Sequence, residues 1–187
     1  MSFSEASAHN TEKWYAMRVA YQQELKAKTF FDSRKIQNFI PMQYVLKNTN
    51  GNKHKKLSPA IHNLIFVKTS GGIIKGLKME AELRGIPIRY IMDRATNSPM
   101  IVPDYEMCNF IAVAGTYDDQ LIFLPYNVGK GGKIHIKEKV LITGGLFKGV
   151  EGYVVKIKKD RRILVSITGM CSVITSFVHP CMLEKIK

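Results

Sequence analysis

The chain has 187 residues, 45% of them hydrophobic, and a formal net charge of +13. That apolar fraction is too high for a disordered chain and suits one ordinary domain or two small ones, while no apolar run reaches the roughly 20 residues that span a bilayer. The polar, acid-bearing start MSFSEASAHNTEKW lacks the basic-then-apolar order of a secretory signal, so the sequence predicts a cytoplasmic protein whose excess of cations favours polyanionic partners.

In chain order, Trp14 to Ala20 alternates apolar and polar residues as a half-buried strand does. Gln22 to Ile36 has an amphipathic helical period, with Leu25, Thr29, Phe30 and Ser33 on one face and most of the cations elsewhere. Phe39 to Leu46 returns to strand character, and Pro41 assigns it to a sheet edge. Residues 47–56, KNTNGNKHKK, place Asn50-Gly51, the favoured dipeptide of a tight hairpin, among Lys47, Lys53, His54, Lys55 and Lys56. Asn63 to Val67 is nearly continuous apolar and predicts a central strand covered on both faces. A helix is expected over Gly71 to Arg84 and a strand over Ile88 to Met92. A second capped helix starts at Pro103-Asp104, with Met107, Phe110, Ile111 and Ala114 at helical spacing. The mixture predicts an α+β domain built on an antiparallel sheet.

Past Phe123 the character changes. Residues 126–137, YNVGKGGKIHIK, hold three glycines and three lysines without an acid, which predicts a linker. Beyond Lys139 the pieces are short strands at 140–142, 152–157, 163–167 and 173–175, separated by Gly144-Gly145, Lys159-Asp160 and Gly169. Four or five such strands in under 60 residues make a small barrel. The expected organisation is a flexible terminus over 1–12, an α+β domain over 13–123, a linker over 124–137 and an all-β barrel over 138–187.

Enzyme chemistry has little to stand on. No phosphate-binding glycine loop followed by Lys-Ser or Lys-Thr occurs, and no Gly-x-Ser-x-Gly elbow. Asp118 and Asp119 are adjacent and do not naturally converge as an acid–base pair. Cys108, Cys171 and Cys181 are odd in number and lack a Cys-x-x-Cys pair, so they read as reduced thiols. His179 and Cys181 stand alone and too close for a zinc pair. Neither a metal nor a cofactor is implied.

The segment VLITGGLFKGVEGYVVKIKKDRRILVSI carries a strand, a loop bounded by Gly145 and Gly149, then Gly152 and a valine-rich strand. It resembles the KOW motif of NusG-type transcription factors. Independently, WYAMRVAY, PMQYVLK, NLIFVK, IPIRYIM and TNSPMIVPDYEMCNFI resemble, in order, the strands and closing helix of the NusG amino-terminal domain. PAIHNLIFV, GGLFKGVEGYVVKI and the ending HPCMLEKIK are similar to the antiterminators encoded with bacterial surface (capsular) polysaccharide operons, the UpxY-like branch. His62-Asn63-Leu64 replaces the proline-glycine-tyrosine of the housekeeping factor.

The resemblance implies a non-enzymatic, monomeric antitermination or elongation factor without a membrane partner. It would dock on the clamp helices of the RNA polymerase largest subunit through Trp14, Tyr15, Ile61, His62 and Leu64. The basic hairpin, with Lys47, Lys53, Lys55 and Lys56, would contact upstream or non-template DNA phosphates. The barrel's partner face carries over to Phe147, Val150, Thr168 and Met170. Thr168 stands in for a large aromatic and Met170 for a cation, which implies poor binding of the termination factor Rho and leaves ribosomal protein S10 as a candidate partner. The competing readings are a ribosome- or RNA-associated KOW protein, which would use the same charge and barrel, and a housekeeping NusG.

Overall fold

The computed structural model describes residues 11–49, 52–125 and 136–186. The Asn50-Gly51 turn and most of the expected linker lie outside the described residues. The chain divides into two compact units, Met1–Ile40 with His62–Asp104, and Pro41–Ile61 with Tyr105–Lys187.

The first unit begins with strand β1 (Lys13–Val19) and helix α1 (Glu24–Asp32), followed by β2 (Gln37–Phe39). The second unit's hairpin, β3 (Met42–Thr49) and β4 (Asn52–Pro59), comes next in the chain. The first unit then resumes with β5 (Leu64–Thr69), helix α2 (Gly71–Leu83), β6 (Ile88–Tyr90) and β7 (Ile101–Val102). Its antiparallel sheet runs β2-β5-β1-β6, with β7 also pairing β1. Leu64 to Val67 are all buried, as a central strand covered on both faces requires. Burial of such side chains is worth about 1.5–3 kcal/mol each, so β1 and β5 anchor this unit. Arg34 forks onto Glu80, with Nε 2.9 Å from Oε2, and its guanidinium lies 3.8 Å from the Phe30 ring centroid, which ties the end of α1 to α2. The Arg34 hydrogen bond holds the Glu80 carboxyl below its usual range.

Two expectations change here. The strand expected over Phe39 to Leu46 is two strands, because Pro41 has no N–H to continue a ladder. Its β2 portion does lie at the sheet edge. The first helix is shorter than Gln22 to Ile36 and turned about its axis. It buries Glu24, Ala27, Phe30 and Phe31, and leaves Leu25 49% exposed. Tyr21 and Gln22 before it, and Lys35 after it, take left-handed angles that no α-helix continues through.

In the second unit helix α3 (Asp104–Ala114) leads to β8 (Ile122–Pro125), then β9 (Lys139–Ile142), β10 (Glu151–Ile157), β11 (Asp160–Ile167), β12 (Cys171–Ile174) and β13 (Leu183–Lys185). The sheet order is β13-β9-β10-β11-β12-β8, antiparallel throughout. The strand β8 spans a stretch that the sequence divides between the first domain and the linker. Here Ile122 faces Ile174 and Leu124 faces Ser172 in the register with β12, and both pack on a cluster of Val155, Leu164 and Ile174. Gly145 and Gly149 have φ of +78° and +88°, the left-handed angles that the loop before β10 needs. The expected α+β fold and all-β barrel are thus both present. Among the described residues no helix is long and apolar enough to cross a membrane.

Candidate functional site

The five residues assigned to the polymerase contact do not form one exposed face. In the β1–β5 register Trp14 faces Lys68 and Arg18 faces Leu64, so Trp14 and Leu64 share one side of the sheet with Ala16 and Phe66. Tyr15 points to the other side, where its ring lies 6.3 Å from that of Tyr90 and burial raises its phenol pKa. Trp14, Tyr15 and Leu64 are all buried. They are core residues, and this corrects the expectation that they stand exposed as docking anchors. The physical reason is the pleat: over Trp14 to Met17 and Leu64 to Val67 both faces of the sheet are covered, so neither parity of side chain reaches solvent there. Ile61 is half-buried and His62 exposed, in the turn that feeds β5. Asn63 follows at φ +62°. Its N–H donates to the buried Glu24 carboxylate, and its own carbonyl accepts from Val19 N–H at 3.1 Å. This turn is therefore held from behind by the helix, with His62 facing out.

The hairpin register sets out its cations. Lys47 faces His54, Val45 faces Lys56, Asn48 faces Lys53 and Leu46 faces Lys55. Opposed residues share a side of the ribbon, so Lys47, His54 and Lys56 lie on one face and Lys53 and Lys55 on the other. All five are exposed. Lys55 pairs with Asp119 and lies 6.0 Å from the Tyr44 ring centroid, which offsets part of its charge. Replacing Lys47 and Lys56 together by Ala is therefore expected to flatten the salt dependence of duplex DNA binding. The log–log slope should fall by nearly 2, about 0.9 per lost phosphate contact. Lys55→Ala should change it less. Equal slopes for all three proteins would remove the hairpin from the DNA contact.

The barrel residues are divided as well. Phe147, Val150 and Met170 are buried, and only Thr168 is exposed. Val150 N–H closes the loop onto Phe147 O at 3.1 Å, and Met170 N–H closes the next turn onto Ile167 O at 3.0 Å. Both closures fold the apolar side chains into the barrel, so the expected apolar partner surface at Phe147, Val150 and Met170 is not presented. Thr168 is engaged instead. Its N–H and hydroxyl each donate to the Glu106 carboxylate on α3 at 2.8 Å. Asn109, one turn further along α3, accepts from Glu151 N–H at 2.9 Å.

Glu24, Glu106 and Asn109 are missed by the sequence reading. A signal exists: Glu24 and Glu106 are acids on otherwise apolar helix faces, and an acid buried there needs donors. Which donors they meet is not written in the local sequence. Cys171 is buried, which pushes its thiol up to about 12 and leaves it inert, whereas Cys108 and Cys181 are exposed. His179 Nδ1 lies 2.9 Å from Cys181 Sγ, and among the described residues no group of three or more His, Cys, Asp or Glu is placed to hold a metal.

Residues 12–111, just over half of the chain, match the family model described as transcription termination factor NusG. Among solved structures, one titled "Domain interaction in Thermotoga maritima NusG" is similar over 95% of this chain and 98% of that one, at 16% identity and a TM-score of 0.46. No curated protein matches the sequence significantly.

Proposed function

We propose that the chain, which belongs to the NusG family of non-enzymatic transcription elongation and antitermination factors that interact with RNA polymerase, is a specialised antiterminator serving a surface-polysaccharide operon, on the likeness of PAIHNLIFV, GGLFKGVEGYVVKI and HPCMLEKIK to that branch. The polymerase-binding part lies within 13–123 and is followed by a linker over 124–137 and a KOW barrel over 138–187, to which residues 122–125 lend a strand. The observation that supports this reading best is the succession, in one chain, of the NusG-matching α+β region and a barrel with the Gly145–Gly149–Gly152 loop. Docking on the clamp helices of the largest subunit would use the outward turn at Ile61-His62. A factor seated there holds the clamp closed, disfavours the rearrangements of pausing, and makes or breaks no bond. The basic ribbon would lie along upstream or non-template DNA phosphates.

The barrel would serve Rho poorly. Thr168 offers no aromatic anchor and is already bonded to Glu106, and Met170 offers no cation. S10 stays a candidate partner. The deciding experiment is purified transcription on a template with a Rho-dependent terminator, with and without the protein. More full-length transcript in its presence is the expected result. Earlier Rho-dependent release would make the protein an ordinary NusG and would remove the argument from Thr168 and Met170.

A further inference from the structure

Helix α2 opens on two glycines that its own fold does not require. Gly71 and Gly72 are its first residues, and glycine is the poorest helix former after proline. Neither takes a left-handed backbone angle, and a Cβ at Gly72 would meet nothing within 4 Å. What the pair does is leave backbone bare. The first intrahelical bond runs from Ile74 N–H to Ser70 O at 3.0 Å, so the N–H groups of Gly71, Gly72 and Ile73 have no acceptor within the helix. Ser70 stands at the N-cap, where a serine hydroxyl ordinarily accepts one of them, yet it makes no capping bond, and the first turn holds no acid. Gly72 and Ile73 are exposed, so solvent reaches this end.

A side chain from the sheet points to the same place. Tyr15 is 7% exposed, and its hydroxyl lies 3.2 Å from where a Cβ of Gly71 would stand. Among the described residues that hydroxyl has no hydrogen-bond partner. Tyr90, whose ring centroid lies 6.3 Å from that of Tyr15, does not supply one: its own hydroxyl is buried and unpartnered too. Buried hydroxyls without partners are uncommon, because each gives up its hydration for nothing. Burial raises the Tyr15 pKa, so the group stays protonated and able to donate. Lys13 faces Thr69 in the β1–β5 register, on the side of the sheet that carries Tyr15. It is exposed and forms no ion pair among the described residues.

We propose that the amino end of α2 is a phosphate site: the N–H groups of Gly71, Gly72 and Ile73 and the Tyr15 hydroxyl donate to the oxygens of one free phosphate or phosphate monoester, and Lys13 supplies countercharge. Bare N–H groups and the aligned peptide dipoles at a helix amino end favour such an anion. The donors come from a helix end and from the sheet beneath it. A tetrahedral phosphate offers oxygens in both directions, whereas a planar carboxylate does not. A phosphodiester has two of its oxygens blocked, so a nucleic-acid backbone is not the ligand. The site is separate from the basic ribbon, and its binding does not need polymerase.

The test follows backbone amides by proton–nitrogen correlation spectra while the full chain is titrated, at constant ionic strength, with inorganic phosphate, glycerol phosphate, dimethyl phosphate and acetate. Saturable downfield shifts of the Gly71 and Gly72 amides are expected with the first two and not with the last two. Tyr15→Phe should weaken phosphate binding about tenfold without lowering the phosphate-free thermal midpoint, because it removes a hydroxyl that bonds to nothing. Gly72→Asp should abolish binding by repelling the anion and yet raise the midpoint, since an acid in the first turn complements the helix dipole. That pairing separates loss of the site from loss of the fold. Lys47→Ala with Lys56→Ala, in the basic ribbon, should bind phosphate as the unaltered protein does. Tighter binding of glycerol phosphate would support the site and name a small phosphorylated molecule as the source, and equal binding would support it with free phosphate as the source. Full affinity in Tyr15→Phe or Gly72→Asp overturns the proposal. So does equal binding of dimethyl phosphate or acetate, or a set of unsaturable shifts spread over the lysines.

Discussion

Leu64→Asp is expected to unfold the first unit. Leu64 is 4% exposed and opens the central strand β5, where Arg18 of β1 faces it. The change removes a buried side chain worth about 2–3 kcal/mol and desolvates a carboxylate at a buried position, a cost of several kcal/mol that the facing Arg18 offsets only in part. The sum, about 5 kcal/mol, is comparable with the whole stability of an ordinary domain. Far-ultraviolet circular dichroism and a denaturant titration measure it, and a native-like spectrum with an unmoved midpoint would show that Leu64 is not core. Ile61→Asp is the matched comparison. Ile61 is half-buried, in the turn three residues upstream, so the fold should survive. The cost should appear in polymerase binding, about 2–4 kcal/mol, or a thirtyfold to thousandfold loss of affinity. A folded Ile61→Asp protein with full affinity would move the polymerase contact away from this turn.

Gly152→Ala is expected to destabilise the barrel by about 3 kcal/mol, near the upper end of overpacking costs, although it adds a single methyl group. A Cβ at this position would lie 2.6 Å from Ile163 Cγ2 and 2.7 Å from the Leu164 carbonyl oxygen. A side-chain methyl can rotate away, but the carbonyl belongs to the β10–β11 ladder, in which Tyr153 pairs with Leu164. Relief therefore requires opening the strands. Gly72→Ala is the control, because a Cβ there meets nothing within 4 Å and α2 should gain a little helix propensity. Thermal unfolding followed by near-ultraviolet signal and by amide exchange of β10 and β11 reads both. If the two substitutions gave the same midpoint, the close approach at Gly152 would not exist in solution.

Much of this molecule was legible from residue order alone, for reasons that are local. Alternation in Trp14–Val19, the apolar run at Leu64–Val67 and the glycines at 145 and 149 each state a backbone preference within a few residues. The structure follows all of them. The ordered succession of these pieces was enough to reach the family. What the sequence did not determine depends on which face of an element finds a partner. The period of α1 was visible, but its phase placed Leu25 inward, where the sheet takes Phe31 instead. Trp14 and Tyr15 read equally well as anchors or as core, because a strand's parity does not say whether its second face is covered. The strand at 122–125 acquires its identity only by pairing with β12, some fifty residues later. Glu24 and Glu106 needed tertiary structure for the same reason: a buried carboxylate is tolerable only once distant donors, Asn63 N–H and Thr168, have been brought to it. Local sequence specifies what a backbone segment prefers, whereas burial and hydrogen-bond partners belong to the pair of surfaces that meet, and only the fold decides which surfaces those are.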